Sequence, residues 1–278
     1  MKRLPNEVKH RILILGASGF LGHAIYKELC PYFNTFGTYN TENPQFDKNQ
    51  HFFQYNIEED DVYEILDIVK PSIIISALRG DFSAQFVAHK HVAEYINNHK
   101  TKFIFLSSAN VFDAYSKYPS YEEDKTLSNS IYGHFKIKIE NMLLRLPKKK
   151  VAILRLPMVF GPYCPRLKEI AQLISDKEPV EIFPNLIMNV TTHTKVTQQI
   201  HYIINRNKSG VFHLGSIDLV HHDEFIRDII KISGLKKAIY KRVYTTNDDR
   251  YLAVLPKYNM LPKNLQLLSQ EILTELEI

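Results

Sequence analysis

Ile12-Leu13-Ile14-Leu15-Gly16-Ala17-Ser18-Gly19-Phe20-Leu21-Gly22 is the stretch on which the fold turns. Four β-type apolar residues stop at a glycine, and the apolar residues that follow recur with helical spacing as far as Leu29. A strand that passes through a tight, small-residue turn into a helix lets two backbones approach closely. The first N–H groups of that helix have no partner inside it and face an anion, which is how a pyrophosphate is held at a helix N-terminus. This assigns Gly16, Ser18, Gly19, Phe20, Leu21 and Gly22 to a dinucleotide.

Outward from that stretch, short apolar runs alternate with longer amphipathic ones. Ile12–Leu15, Thr35–Tyr39, Phe52–Tyr55, Ile73–Ser76, Phe103–Ser107 and Val151–Leu156 read as strands. Leu21–Leu29, Asp61–Val69, Phe82–Asn97 and Ser130–Leu146 read as helices. The alternation predicts an α/β chain of the Rossmann type, a doubly wound parallel sheet covered on both faces. Between Thr35 and Tyr55 no helix is expected, because Thr41-Glu42-Asn43-Pro44-Gln45 has loop composition. After Leu156, prolines at 157, 162, 165, 179 and 184 change the texture, with helices expected at Leu167–Ser175 and Val196–Asn205 and a closing helix at Leu265–Leu276. This predicts a smaller C-terminal substrate lobe. The expected division is a dinucleotide-binding domain at 1–160 with 189–217 and a substrate-binding lobe at 161–188 with 218–278.

Composition narrows the function classes. The 278 residues are 45% hydrophobic and 23% charged, a globular balance with a net charge of +5 that suits anionic ligands. Basic residues are scattered, and Lys148-Lys149-Lys150 reads as a solvated turn; no nucleic-acid reader motif is present. Cys30 and Cys164 have neither disulfide-framework nor metal-ligand spacing, which points to a reducing compartment. The polar, basic stretch Met1–Arg11 and the short apolar run after it fit neither a signal sequence nor a membrane span, so a cytoplasmic protein is expected. Twelve histidines suggest metal binding, but His89 and His91 diverge by about 200° on a helix. His221-His222-Asp223-Glu224 reads as a helix start with acids in its first turn. Both groups are read as surface or capping features, and no metal is expected.

Two further groups of residues carry chemistry. The end of the second strand, Gly37-Thr38-Tyr39-Asn40, lacks the carboxylate that binds a ribose diol. Thr38 and Asn40 are able to accept a 2′-phosphate, so the reading leans to NADP and leaves NAD open. Tyr132-Gly133-His134-Phe135-Lys136 puts a phenol and an ammonium on one helix face. With 16 tyrosines such a pair arises by chance about once, and Tyr121/Lys125 is another. Context separates them: Tyr132 lies in a long helix pattern, downstream of a strand that ends on Ser107-Ser108. A free phenol titrates near pH ~10 and needs a neighbouring cation to exchange protons at neutral pH. Lys136 supplies that cation, and Ser108 orients the substrate oxygen.

These pieces together resemble an extended short-chain dehydrogenase/reductase, and within that group the dTDP-4-dehydrorhamnose reductase family. The resemblance runs through Gly16–Gly22, Ser107-Ser108-Ala109-Asn110-Val111-Phe112-Asp113, Tyr121-Glu122-Glu123-Asp124, Tyr132 to Lys136 with Glu140, and Leu154-Arg155-Leu156-Pro157-Met158-Val159-Phe160-Gly161. It implies that Ser108, Tyr132 and Lys136 are the catalytic trio. Hydride would pass between NADP or NAD and a keto-sugar on a nucleoside diphosphate, with Ala77 and Asn56 beside the cofactor. Arg79, Asn110 and Arg155 are the candidate substrate residues. A nucleotide-linked sugar is the expected partner, with no nucleic acid and no membrane, and a homodimer is the assembly to test.

Departures keep alternatives open. Ala109 and Asn110 replace the family's Asp-Tyr pair, Leu255 stands where an arginine belongs in Leu255-Pro256-Lys257, and Ser76-Ala77-Leu78 replaces Asn-Ala-Ala. An epimerase is one alternative. A cofactor-binding regulatory protein is the other, since the methionine adenosyltransferase regulatory subunit also resembles this family.

Overall fold

The computed structural model describes residues 10–115 and 117–276. Its first part runs β1 (Arg11–Leu15), α1 (Phe20–Leu29), β2 (Asn34–Tyr39), α2 (Pro44–Asp47), β3 (Phe52–Gln54), α3 (Val62–Val69), β4 (Ile73–Ser76), α4 (Phe82–Asn98), β5 (Lys102–Ser108), α5 (Ile131–Leu143) and β6 (Val151–Leu156). Then come β7 (Met158–Phe160), α6 (Pro165–Ser175), β8 (Val180–Ile182), β9 (Leu186–Met188), β10 (Val190–Thr192), α7 (His193–Asn205) and β11 (Gly210–His213). The chain closes with β12 (Val220–His221), α8 (His222–Ile232), β13 (Tyr240–Arg242), β14 (Arg250–Leu252) and α9 (Ser269–Leu276).

The six strands predicted from apolar runs, with β11 added at one edge, form one seven-stranded sheet in the order β11-β6-β5-β4-β1-β2-β3, flanked by helices. Pairings β1–β2, β1–β4, β2–β3 and β4–β5 are parallel. This is the Rossmann-type α/β class expected from the sequence. Ile12 to Leu15 are fully buried, as an unbroken apolar run in a strand covered on both faces must be. The winding reverses between β1 and β4, the switch point outside whose strand ends ligands bind in open α/β sheets.

By packing, the chain divides into one unit reaching to Phe105 and resuming over Asn141–Ala152, and a second taking Leu106–Glu140 and the chain from Ile153. The sequence-derived division groups residues by ligand instead, and it stays a proposal. In the first unit Asp61 and Asp81 cap α3 and α4 with their carboxylates. In the second, the fully buried Asn189 bonds to the carbonyls of Ser216 and Val254 and to the Val254 amide. Short sheets β10–β7, β12–β9–β14 and β13–β8 fill out this unit.

Three local expectations are corrected. The stretch read as loop before β3 holds one turn of helix, α2, started by Asn43, whose side chain accepts from the Gln45 amide, with Pro44 in the first turn. The closing helix begins at Ser269; ahead of it the Leu267 carbonyl accepts from the Ile217 amide rather than from a helical partner. His89 is buried, its Nε2 2.8 Å from Ser76 Oγ and its Nδ1 2.5 Å from the Gln85 carbonyl.

Candidate functional site

The glycine loop lies in the first unit. Gly16 has φ +81°, and a Cβ there would lie 2.8 Å from the Ala77 carbonyl, so only glycine passes this turn without strain. A Cβ on Gly22 would overlap the Gly16 carbonyl. The end of β4, with Ala77, is thus packed directly on the loop. Gly19 is the N-cap of α1 and has no side chain to cap it, so the helix's first turn is left for an outside acceptor. Gly19 N–H donates to the Gly16 carbonyl at 3.1 Å, holding the turn closed, while Ser18 is exposed and Phe20 and Leu21 are half-buried. These features fit the pyrophosphate of a dinucleotide.

The ribose end differs from expectation. Thr38 is 1% exposed, and its Oγ1 accepts from the Gly16 amide at 2.8 Å. It tethers the loop to β2, and the role of 2′-phosphate ligand assigned to it is withdrawn: burial and this bond take the hydroxyl out of reach. Asn40 is exposed, and it lines a cleft of about 440 Å³ with Gln54, Asn56, Asp60 and Glu64. Asn56 Oδ1 accepts from the Glu58 amide, and the Asn56 amide donates to Asp60 Oδ2 at 2.7 Å. The side chain is therefore set by a local turn. Arg79 is exposed just before Gly80, which has φ +126°.

Ser108, Tyr132 and Lys136 lie in the second unit. Ser108 ends β5, and its hydroxyl is pinned by Asn110: Oγ donates to Asn110 Oδ1 at 3.0 Å and accepts from the Asn110 amide at 3.2 Å. The asparagine that replaces the family's tyrosine thus orients the serine. Tyr132 is 40% exposed on the second residue of α5, whereas Lys136, one turn on, is 7% exposed. Lys136 Nζ lies 5.6 Å from the Tyr132 ring centroid and donates to the Leu106 carbonyl at 3.0 Å. Burial pulls the Lys136 ammonium down to about 8, with Glu140 partly opposing. Gly133 is required between them, because a Cβ there would overlap Ser128 Oγ and the Asn110 carbonyl. The start of α5 is also fixed by Asp113, which accepts from Ser130 Oγ and the Asn129 amide.

Arg155 does not reach a substrate surface. It is 3% exposed and pairs with Glu140, which is 1% exposed, at 2.8 Å. Its Nη1 donates to the Glu122 carbonyl at 3.1 Å and lies 3.3 Å from His213 Nε2. The substrate role is corrected to an interior ion pair, since a strand buried on both faces can hold a guanidinium only where carboxylate and carbonyl acceptors surround it. The Glu122 carboxylate accepts from the amides of Lys257, Tyr258 and Asn259. That bond set holds the segment after Leu255, where the family arginine is missing. Glu122 reads from sequence only as a loop residue and His213 carries no motif; neither has a local signal, because the partners of each lie more than 30 residues away. Among the described residues no three metal-type side chains come together, and no helix is long and apolar enough to cross a membrane.

Residues 10–272 match the family described as RmlD substrate binding domain. A dTDP-4-dehydrorhamnose reductase of Aggregatibacter actinomycetemcomitans is 28% identical over 167 residues, 55% of this chain and 53% of its own. Methionine adenosyltransferase 2 subunit beta of Danio rerio is 29% identical over 165 residues, 54% of this chain and 48% of its own. The chain spans about half the length of the curated relatives it matches. Among solved structures, dTDP-4-dehydrorhamnose reductase of Bacillus anthracis, in complex with NADP, superposes with a TM-score of 0.72 at 20% identity, over 97% of this chain and 99% of that one. At that identity the likeness shows the fold.

Proposed function

Because the chain belongs to the RmlD substrate binding domain family, we propose that it is a nicotinamide-dependent reductase of a nucleotide-linked keto-sugar, with NADP or NAD as cofactor. The observation that carries this is the second unit's trio: an exposed phenol one helical turn from a buried ammonium, and a strand-end hydroxyl already oriented by Asn110. Gly16, Ser18, Gly19, Phe20, Leu21 and Gly22 would hold the pyrophosphate, with Ala77 packed behind them and Asn40 and Asn56 toward the ribose and adenine. When bound, the reduced nicotinamide supplies the hydride. Tyr132 donates its phenolic proton to the carbonyl oxygen, which becomes the hydroxyl. Lys136 stabilises the phenolate left behind, and Ser108 positions the same oxygen by hydrogen bonding.

The test begins with fluorescence titration by NADPH and NADH, followed by turnover of nucleotide-linked keto-sugars. Tyr132→Phe should lower kcat by about a hundredfold or more and leave the cofactor Kd within about twofold, since it removes a proton and little contact area. Turnover retained in Tyr132→Phe would remove the tyrosine from the mechanism. A second reading, a cofactor-binding regulatory subunit, draws on Ala109 and Leu255 at positions where the family carries charge and on the likeness to the Danio rerio protein. It predicts saturable cofactor binding with no turnover on any such sugar.

A further inference from the structure

Glu140 lies one turn beyond Lys136 on α5, and both its carboxylate oxygens are taken by other groups. Ser107 Oγ donates to Oε1 at 2.5 Å; Arg155 donates from Nε to both oxygens at 3.2 Å and from Nη2 to Oε2 at 2.8 Å. Neither charge is screened by water, since the two side chains are 1% and 4% exposed. An uncompensated carboxylate at this depth, four residues from an ammonium, would hold that ammonium charged well above its ordinary range. Arg155, bonded to both oxygens of that carboxylate, opposes this field. We propose that Arg155 is a positioning residue that claims Glu140, keeps it from forming a full ion pair with Lys136, and so leaves the ammonium's charge to the Tyr132 phenol. The proposal rests on the reading of Tyr132 and Lys136 as catalytic.

The surroundings of Lys136 support this assignment. On its own helix it meets the Tyr132 ring and the field of Glu140, with Lys138 exposed. From β5 it meets the Leu106 carbonyl, and Ser107 binds Glu140 beside it. From β6 comes Arg155, acting through Glu140, and behind it His213 of β11, which is neutral at pH 7 because burial and Arg155 push it down to about 4. Glu122 turns its carbonyl to Arg155 and its carboxylate to the amides of 257–259. Beyond burial, the charge acting on Lys136 is that of Glu140, the carboxylate Arg155 holds.

The two single variants must move Lys136 in opposite directions, which a packing role alone does not require. The measurement is a pH titration of the Lys136 Cε resonance in full-length, ¹³C-lysine-labelled protein, the signal being assigned by its absence in Lys136→Arg. The wild-type midpoint is expected near 8. Arg155→Gln should raise it by about one pH unit and Glu140→Gln lower it by about one, while Arg155→Lys, which keeps the charge, stays near wild type. If Arg155→Gln does not fold, the double variant Arg155→Gln/Glu140→Gln replaces it, since losing both charges is tolerated better than losing one. Its midpoint should lie above that of Glu140→Gln. Equal midpoints in Glu140→Gln and the double variant, or shifts of one sign in both single variants, would overturn the proposal. No cofactor or substrate enters this titration, so absence of turnover overturns the reductase reading alone.

Discussion

A methyl group at position 22 has nowhere to go, because it would overlap the Gly16 carbonyl across the turn. Gly22→Ala should cost about 1–3 kcal/mol of stability and abolish saturable dinucleotide binding, read by thermal melting and fluorescence titration; normal binding in a folded Gly22→Ala protein would detach the loop from the cofactor. The glycines were legible because the tight turn they form is local in sequence, although Gly16 is also closed in by the distant Ala77 carbonyl. Thr38 was not: its purpose depends on the Gly16 amide, 2.8 Å away in the turn after the neighbouring strand. Thr38→Val keeps the shape and leaves that buried amide without its acceptor, which costs about 1–3 kcal/mol. Thr38→Ser should melt near wild type and Thr38→Val several degrees lower, and equal melting of the two would remove the tether from the account.

Whole elements were readable where their period or apolar run was long enough to outweigh local chemistry. Strands β1 to β6 and the long helices of the sheet are such cases. α2 was missed because four residues give no period; its only signature is Asn43 followed by Pro44, which is also loop composition. His89 had a usable signal, since it falls on the buried stripe Gln85, Ala88, Val92 and Ile96 of α4. The spacing argument against a shared metal face with His91 said nothing about burial. Lys148-Lys149-Lys150 is the more instructive case. Lys148 and Lys149 are solvated, whereas Lys150 Nζ donates to the carbonyls of Ile96, Asn97 and His99 at 2.7, 3.2 and 3.0 Å. An ammonium on the last carbonyls of a 17-residue helix satisfies orphan acceptors and opposes the negative end of the dipole. Lys150→Met should therefore cost about 1–2 kcal/mol, with faster amide exchange confined to the last turn of α4. Lys149→Met, by contrast, should leave exchange there unchanged.

At the scale of the molecule, the family and the sheet come from patterns spread along the whole chain, whereas two buried histidines in the second unit, His213 and His222, add an acid-sensitive contribution to stability that no local pattern announces. His213 Nδ1 lies 3.0 Å from the Leu255 carbonyl, which can only accept; the ring N–H sits there, and Nε2 is left to accept from Arg155 Nη1. Protonating Nε2 would destroy that bond and set two cations face to face. His222 Nδ1 accepts from the Phe183 amide at 3.3 Å, and burial followed by Arg166 pushes this group down as well. Both are lowered from 6.5 to about 4. The unfolded chain therefore binds more protons between those values, and stability falls as pH drops through that window, being fully present above about 6.5. Each group contributes on the order of 3 kcal/mol across the full window, and the two sum only if their surroundings stay independent. Urea denaturation at pH 7.5 and 5.0 should show a marked loss of stability at the lower pH. His213→Gln, whose amide can still donate to Leu255 and accept from Arg155, should remove part of that loss and His222→Gln another part. An unchanged pH slope in both variants would remove these two histidines from the acid response.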